Sequence, residues 1–116
     1  MNEQEVTTNW GSLSGQELAD VLPKDIAGFN TYRSEHPNWL PDLNEADLFK
    51  ANLSKANLSG ANLHGANLHG ASLSEVDLRE AFLGMANLRE AHLHLTLVAL
   101  GQARSVLETM GFIVVE

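Results

Sequence analysis

The sequence contains no cysteine, and it is poor in features that would direct the chain to a membrane or out of the cell. Without thiols, disulfide bonds and thiolate metal sites are excluded, which is compatible with a reducing compartment. The longest apolar-rich stretch, residues 93–100, is too short to span a bilayer. The first residues, Met-Asn-Glu-Gln-Glu, are acidic and lack the basic and apolar regions of a secretion signal. We therefore expect a cytoplasmic protein.

Signatures of catalysis are also missing from the sequence. There is no nucleophile elbow, no phosphate-binding loop, no dinucleotide fingerprint and no pair of catalytic carboxylates. Among the histidines, only His92 and His94 share one predicted face, and the neighbouring column offers just Ser72 and Ser74 as further ligands. We therefore predict a protein that is not an enzyme, with no catalytic residue, no cofactor and no metal site.

What the sequence does contain is a leucine at every fifth position. A small residue, usually alanine, lies two positions before each leucine, and asparagine or aspartate often lies directly before it. The repeating unit is therefore Ala-(Asn/Asp)-Leu-x-x. The leucines of this series are Leu43, Leu48, Leu53, Leu58, Leu63, Leu68, Leu73, Leu78, Leu83, Leu88 and Leu93.

A five-residue period matches neither an ordinary helix nor an ordinary strand. Successive leucines would step about 140° around an α-helix, and along a strand they would alternate between the two faces. A chain that turns a corner after each unit avoids both problems, because four units then close a square coil of about 20 residues with every leucine inside. Such coils would stack about 4.8 Å apart and pair as parallel strands.

The corners carry residues that suit tight turns. The asparagines and aspartates that precede the leucines have short side chains that bond nearby backbone, and Gly60, Gly65 and Gly70 end units where a turn favours positive φ. Together these features resemble the pentapeptide-repeat family over residues 41–95. The resemblance implies a right-handed quadrilateral β-helix. With residues 96–100 as a degenerate last unit in which Val98 points inward, the β-helix has about three coils over residues 41–100.

Residues 1–40 are interpreted as an N-terminal tail and a helical cap. The sequence Ser14-Gly15-Gln16-Glu17 has the form of a capping box and predicts a short helix over about residues 15–22. Asp25 is predicted to cap a second helix that runs to about His36. The cap is needed because the first coil would otherwise expose unpaired edge groups and leucines.

A second, looser resemblance lies in the segment before the repeats. Residues 29–33, Phe-Asn-Thr-Tyr-Arg, are similar to the aromatic-Asn-x-aromatic-Arg sequence that precedes many bacterial pentapeptide arrays.

Residues 101–116 are interpreted as a C-terminal helix and an apolar tail. A helix is predicted from Gln102 to Met110, with Val106, Leu107 and Met110 on one stripe. The following run, Phe-Ile-Val-Val at residues 112–115, is strand-like and must be buried against something to avoid aggregation.

Large apolar residues at outward positions are concentrated in the third coil. Residues 41–80 contain only Phe49 at such a position. Two explanations remain open: residues 101–116 fold back over the third coil, or this surface binds another protein or a second copy of the chain. The candidate interaction surface consists of Phe82, Met85, Leu95, Leu97, Leu100 and Phe112.

The function predicted from these observations is a non-enzymatic structural or protein-interaction module, a small rigid scaffold or adaptor. The resemblance implies one alternative, a DNA-mimicking binder of a type II topoisomerase such as gyrase, and the chain has a net charge of −8. However, residues 41–95 hold seven acidic and four basic residues, a net charge of −3. Over a rod of about 13 Å, the expected length of the array, duplex DNA would present about eight phosphates, which is more negative charge than the repeats carry. The acidic balance also disfavours a nucleic acid partner, and no membrane partner is expected.

Overall fold

The computed structural model describes residues 7–99 and 102–111. From Asp42 to Asp77, each residue that precedes an inward leucine pairs in parallel with the residue twenty positions ahead. Asp42, Asn62 and Phe82 therefore form one column across three stacked levels. The bridges are Asp42↔Asn62, Asp47↔Asn67, Asn52↔Ser72, Asn57↔Asp77, Asn62↔Phe82, Asn67↔Asn87, Ser72↔His92 and Asp77↔Leu97.

The pairing between levels is made of single bridges, and the described residues contain no extended strand. The expectation of paired parallel strands is wrong in this respect. The reason is the corner: the chain turns after each unit, so only one residue of a unit is bridged on both sides before the direction changes.

The leucines form the core of the array, as their period predicts. From Leu43 to Leu88 none is more than 4% exposed, and the alanines two positions earlier are buried with them, apart from the partly buried Ala51. Val76 replaces one of these alanines and is also buried. Leu93 differs, because it is only partly buried. The array therefore has a closed middle and a less complete C-terminal end.

The corners combine two backbone features. The asparagine or aspartate of a unit accepts a hydrogen bond from the amide two residues later, as Asn62 does from His64 at 3.0 Å. The residue that ends each unit has positive φ whether or not it is glycine, for instance 70° at Gly60 and 72° at Lys55. Positive φ thus belongs to the position in the repeat, whereas the sequence assigned it to the glycines alone.

Two helices precede the array. Helix α1 spans Gly15–Val21 and α2 spans Ile26–Glu35, with short 3-10 turns at Trp10–Ser12 and Leu22–Lys24. The Asp25 side chain accepts a hydrogen bond from the Gly28 amide, as expected for the cap of α2. The capping box predicted for α1 is wrong, since the Ser14 side chain makes no capping bond. The Gly15 amide instead donates to the Asp42 carbonyl at 2.7 Å, which ties α1 to the first coil.

Among the described residues after the array, helix α3 spans Ala103–Thr109. Val106 is buried against the core and Met110 packs partly against it, but Leu107 is exposed, so the predicted stripe is wrong at that position. The apolar tail at 112–115 and Leu100 lie outside the described residues. In the part of the chain that the structure describes, no helix has the length and apolar character needed to cross a membrane.

Candidate protein-interaction surface

The N-terminal end of the array is closed by a buried arginine. Arg33 of α2 is only 6% exposed, and its guanidinium donates to the carbonyls of Trp39, at 2.6 Å, and Asn57, at 3.2 Å, and to the carbonyl of Ser59. It also donates to the Ser59 hydroxyl at 3.0 Å. Burial lowers the pKa of Arg33 from its ordinary value, and the negative charge of Asp77 partly offsets this effect. The five-donor fork of arginine suits such a set of acceptors.

Two side-chain amides complete this lower edge. Asn30 accepts from the Asn57 amide at 2.8 Å and donates to the Lys55 carbonyl at 2.9 Å. Gln16 accepts from the Asp47 amide at 2.8 Å and donates to the Asp47 carbonyl at 3.2 Å. Within the stack, the groups equivalent to the Asn57 amide and to the Asp47 amide and carbonyl are paired with the preceding coil. The side chains of α1 and α2 thus take the place of a coil that the chain does not have.

The aromatic residues around Arg33 hold α2 in this position. Phe29 is fully buried and lies edge-to-face with Trp10, at a centroid distance of 5.4 Å, and with Trp39, at 5.9 Å. Tyr32 stacks on His36 at 3.9 Å. The aromatic-Asn-x-aromatic-Arg sequence therefore supplies packing residues and edge-pairing residues in one helix.

Ser59 shows what the sequence reasoning missed here. In the repeat pattern it is one of several outward serines, and nothing in its own unit distinguishes it from the others. Its hydroxyl donates to Asn57 Oδ1 at 2.8 Å, and its hydroxyl and carbonyl oxygens both accept from Arg33. The sequence signal that could have indicated such a contact is the arginine of the aromatic-Asn-x-aromatic-Arg segment, because a buried arginine needs hydrogen-bond acceptors.

The C-terminal end is paired less completely. Gln102 accepts from the amides of Glu80 and Ala99 and donates to the carbonyls of Leu78 and Ala81, at distances of 2.8 to 3.0 Å. The Thr109 carbonyl accepts from the Leu88 amide at 2.8 Å. In residues 7–99 and 102–111, no acceptor meets the upper-edge amides of Leu83, Met85, Leu93 and Leu95.

A groove lies beside α3 on this upper end. It has a volume of about 330 Å³ and is open to solvent. Its walls come from the third coil and from one side of the helix: Leu83, Gly84, Met85, Ala86, Arg89, Ser105, Glu108 and Thr109. Helix α3 thus covers only part of the upper end.

Four of the six residues proposed from the sequence for the interaction surface are exposed. Phe82 is 58%, Met85 82%, Leu95 66% and Leu97 50% exposed. All four lie on the outside of the third coil. Phe82 and Met85 lie on one side of the corner that Glu80 forms, and Leu95 and Leu97 lie on the other side. Leu100 and Phe112 lie outside the described residues. The role of this group as a binding surface remains a prediction.

Phe82 is fixed in place by its neighbours. Its ring stacks on His64 at a centroid distance of 5.3 Å and an interplanar angle of 14°. A Cβ atom at Gly84 would lie 3.0 Å from the Phe82 ring, so the absence of a side chain there lets the ring lie flat. A similar stack joins Phe49 and His69 at 5.5 Å. These histidines support aromatic rings, and among the described residues no three potential metal ligands come together.

A comparison with protein families agrees with the repeat period. The family model for pentapeptide repeats matches residues 42–79 and 71–94, with eight copies. A search of curated proteins found no match. Among solved structures, the chain is similar to the pentapeptide repeat protein Rfr23 from the cyanobacterium Cyanothece 51142. The identity is 43%, over 52% of this chain and 37% of that one, with a TM-score of 0.24.

Two further solved structures are similar. HetL, a pentapeptide repeat protein involved in heterocyst differentiation regulation from the cyanobacterium Nostoc sp. strain PCC 7120, is 33% identical over 50% of this chain and 35% of its own, with a TM-score of 0.24. QnrB1, a plasmid-mediated fluoroquinolone resistance protein, is 23% identical over 64% of this chain and 44% of its own, with a TM-score of 0.33. The chain therefore spans less than half the length of each.

Proposed function

Because residues 42–94 belong to the pentapeptide-repeat family, we propose that this chain is a small rigid scaffold or adaptor that binds another protein and catalyses no reaction. Members of the family fold as right-handed quadrilateral β-helices and are generally structural or interaction modules. We propose about three coils of this helix over residues 41–100, with residues 1–40 and 101–116 at its two ends. A cytoplasmic location stays a prediction.

The observation that carries this proposal is the unequal distribution of exposed apolar side chains. Residues 41–80 expose one large apolar side chain, Phe49, whereas the shorter segment 81–99 exposes Phe82, Met85, Leu95 and Leu97. Single exposed apolar residues are ordinary, but a concentration of them favours a protein contact. Repeat folds supply rigid surfaces for such contacts.

Two of these side chains also lie at positions that are unfavourable for them. Met85 and Leu95 end their units with φ of 61° and 58°, and this left-handed conformation costs a non-glycine residue about 1 to 2 kcal/mol. Other units place glycine, glutamate or lysine at the same position. The glutamates and lysines at this position have the same backbone conformation, so what distinguishes Met85 and Leu95 is an exposed apolar side chain, which supports their use in binding.

A binding experiment with matched variants tests this proposal. The chain is immobilised and exposed to an extract of the cells that produce it, alongside the double variant Phe82→Ser, Met85→Lys. Both substitutions are native to the repeat, since Ser72 and Lys55 occupy the same positions of their units. A further variant, Phe49→Ser, controls for the loss of an exposed aromatic ring elsewhere.

The proposal expects a protein that the unmodified chain and Phe49→Ser retain equally, and that the double variant loses by about tenfold or more, the effect of an interface hot spot. Retention of the same proteins by a folded double variant contradicts it. Light scattering at two concentrations shows whether the retained partner includes a second copy of the chain.

The DNA-mimicking alternative is the second candidate, and the described surface disfavours it. Basic side chains lie among the acidic ones on the coils: Lys50 lies over the Phe49 ring at 5.3 Å, and Arg79 pairs with Asp77 at 2.8 Å. A DNA mimic needs a more uniform negative surface over its length.

A further inference from the structure

A second groove lies at the N-terminal end of the molecule, away from the third coil. It runs between residues 7–10 and one side of α2, has a volume of about 340 Å³ and is open to solvent. We call it the α2 groove. Trp10 belongs to its first wall. The residues of its second wall share one side of the helix, since they follow one another at spacings of three and four positions: Asp25, Gly28, Tyr32 and Glu35.

The two ends of the α2 groove carry carboxylates without cationic partners. Asp25 and Glu35 are exposed, and among the described residues neither forms an ion pair. The arginine of α2, Arg33, lies on another side of the helix, where it is buried and donates to carbonyls of the array. The helix separates the two carboxylate residues by about 15 Å along its axis. The groove therefore has a negative charge at each end, and no basic residue lines it between them.

The wall formed by Trp10 offers a hydrogen-bond donor that the chain does not use. The Trp10 side chain is only 3% exposed, yet in residues 7–99 and 102–111 no acceptor meets its indole N–H. Among these residues, the fully buried side-chain polar atom without a partner is Nδ1 of His64. The indole N–H is therefore reached from outside, and the surface that Trp10 lines is the α2 groove. A donor in so buried a side chain is stabilised when an acceptor enters the groove.

Gly28 keeps the space between the two carboxylates open. A Cβ atom at this position would lie 2.2 Å from Oδ2 of Asp25, so a side chain here would displace that carboxylate and fill the groove. With glycine, Oδ1 of Asp25 accepts from the Gly28 amide, and Oδ2 has no partner among the described residues. The second oxygen thus stays available to a ligand.

We propose that the α2 groove binds an extended segment of another protein that carries two basic side chains four residues apart. Extended residues advance about 3.3 Å each, so two residues four positions apart lie about 13 Å from each other on the same side of the segment. The length of a lysine or arginine side chain covers the remaining distance to Asp25 at one end and Glu35 at the other. A backbone carbonyl between the two basic residues accepts from the Trp10 N–H.

The occupant is a different protein, because this chain contains no such segment. No two of its seven lysines and arginines are four residues apart. Residues 1–6, which precede the first wall in the sequence, include two glutamates and no basic residue. Negative charge at both ends of the groove favours a basic segment over an acidic one.

This inference goes beyond the proposed function, since it adds a contact at the end of the array that lies away from Phe82 and Met85. An adaptor joins two proteins, and the α2 groove gives the chain a second place to bind one. Either contact can fail alone, because the experiment on the third coil changes no residue of the α2 groove.

Titration of the isotope-labelled full chain with a synthetic peptide, followed by NMR, tests the proposal. The probe is acetyl-Ala-Lys-Thr-Val-Thr-Lys-Ala-amide. The indole N–H resonance of Trp10 should shift and saturate with a Kd in the millimolar range, as expected for two exposed ion pairs and one hydrogen bond. A control peptide of the same composition, acetyl-Ala-Lys-Lys-Thr-Val-Thr-Ala-amide, should bind at least about threefold more weakly, because it cannot reach both carboxylates.

Variants of the chain separate the groove from the general charge of the N-terminal helices. Asp25→Asn and Glu35→Gln should each raise the Kd by about threefold, because each removes one exposed ion pair. Asparagine remains a good cap for α2. Trp10→Phe keeps an aromatic ring and removes the donor, so it should raise the Kd by about fivefold. Glu17→Gln, an exposed position of α1 outside the groove, is the matched control and should leave the Kd unchanged. In every variant the Gly28 amide resonance reports binding.

Three results would overturn the proposal. One is a Trp10 indole resonance that does not shift at millimolar concentrations of the peptide. Another is equal weakening by Glu17→Gln and Glu35→Gln, because the peptide is then attracted only by net charge. The third is unchanged affinity in Trp10→Phe, since the indole N–H then has no role in binding. An unchanged Leu68 amide resonance shows in each variant that the array is folded, so that a lost contact is distinguished from a lost fold.

Discussion

The outermost coil at each end of the array has edge groups that need partners, and the two ends provide these partners differently. At the N-terminal end, Gln16, Asn30 and Arg33 reach from two helices to the backbone of the first coil. At the C-terminal end, the described residues that pair with the array's backbone do so through one side chain, that of Gln102, and one carbonyl, that of Thr109. The first end buries an arginine and two aromatic rings, those of Trp10 and Phe29, whereas the second end leaves leucines partly or largely exposed.

This difference shows that covering a solenoid end has two separate parts. Backbone groups on the edge need hydrogen-bond partners, and the last layer of leucines needs an apolar cover. The N-terminal helices provide both, because α2 carries polar and aromatic residues together. Helix α3 is a seven-residue helix and provides less of each. The less complete end is therefore where added chain or a partner protein has the most to gain.

The largest expected effect compares the middle of the array with its C-terminal end. Leu68→Ala should lower the free energy of unfolding by about 2 to 5 kcal/mol, because the stack around it cannot collapse into the gap. Leu93→Ala should cost less than half as much, since that side chain is only partly buried. Chemical denaturation of both variants measures the difference, and equal losses would show that the two levels are equally covered.

The second comparison concerns the arginine of the N-terminal end. Arg33→Ala should destabilise the chain by about 2 to 4 kcal/mol, because it leaves several edge carbonyls without donors. Arg33→Lys should recover little of this, since one ammonium group cannot reach the same acceptors. Arg79→Ala, at an exposed pair with Asp77, is the control and should change stability by about 0.5 kcal/mol or less. If Arg33→Ala were destabilised only slightly, this would contradict the role of Arg33 in pairing the N-terminal end.

The two glutamines allow the ends to be compared directly. Gln16→Ala and Gln102→Ala should each cost about 1 to 2 kcal/mol through lost hydrogen bonds. Gln102→Ala should cost more, because that side chain pairs with four backbone groups, whereas Gln16 pairs with both backbone groups of Asp47. Thermal denaturation of the two variants gives the order, and the reverse order would count against the pairing described at the C-terminal end.

The smallest expected effect is a pH dependence at Asp77. Its hydrogen bond from Arg79 holds the pKa of this carboxyl below its ordinary value, so its contribution to stability is present above about pH 4 and is lost as the pH falls further. Asp77→Asn introduces the residue that Asn57 provides at the same position one coil below. This variant should lose slightly less stability at acidic pH. Unfolding curves at pH 7 and pH 3 measure it, and an identical pH dependence in both chains would exclude the contribution.

The sequence predicted the array well because its signal repeats. The five-residue period placed Leu43 to Leu88 in the core, and the asparagines at the corners bond the backbone as expected. It predicted the end structures less well, because each occurs only once. Nothing periodic marks Gln16 or Gln102 as edge-pairing residues. The capping box at Ser14 failed because the start of α1 pairs with the first coil instead.

The candidate surface could be predicted in part. Outward positions follow from the period, so the sequence alone predicts that Phe82, Met85, Leu95 and Leu97 are exposed, and they are. The left-handed conformation of Met85 and Leu95 could not be predicted from residue type, since it follows from the corner position alone. The stack of Phe82 on His64 depends on Gly84, two positions later, and on a histidine one coil below.

Residue-resolved hydrogen exchange of the backbone amides at both edges tests the central claim most directly. The claim is that the N-terminal edge is paired and the C-terminal edge is partly open. The amides of Asp47 and Asn57, which donate to Gln16 and Asn30, should exchange as slowly as that of Asn67 inside the stack. Those of Leu83 and Met85 should exchange at least about tenfold faster than the amides of Leu63 and Gly65 beneath them. Equal protection of all these amides in the monomeric chain would contradict the account.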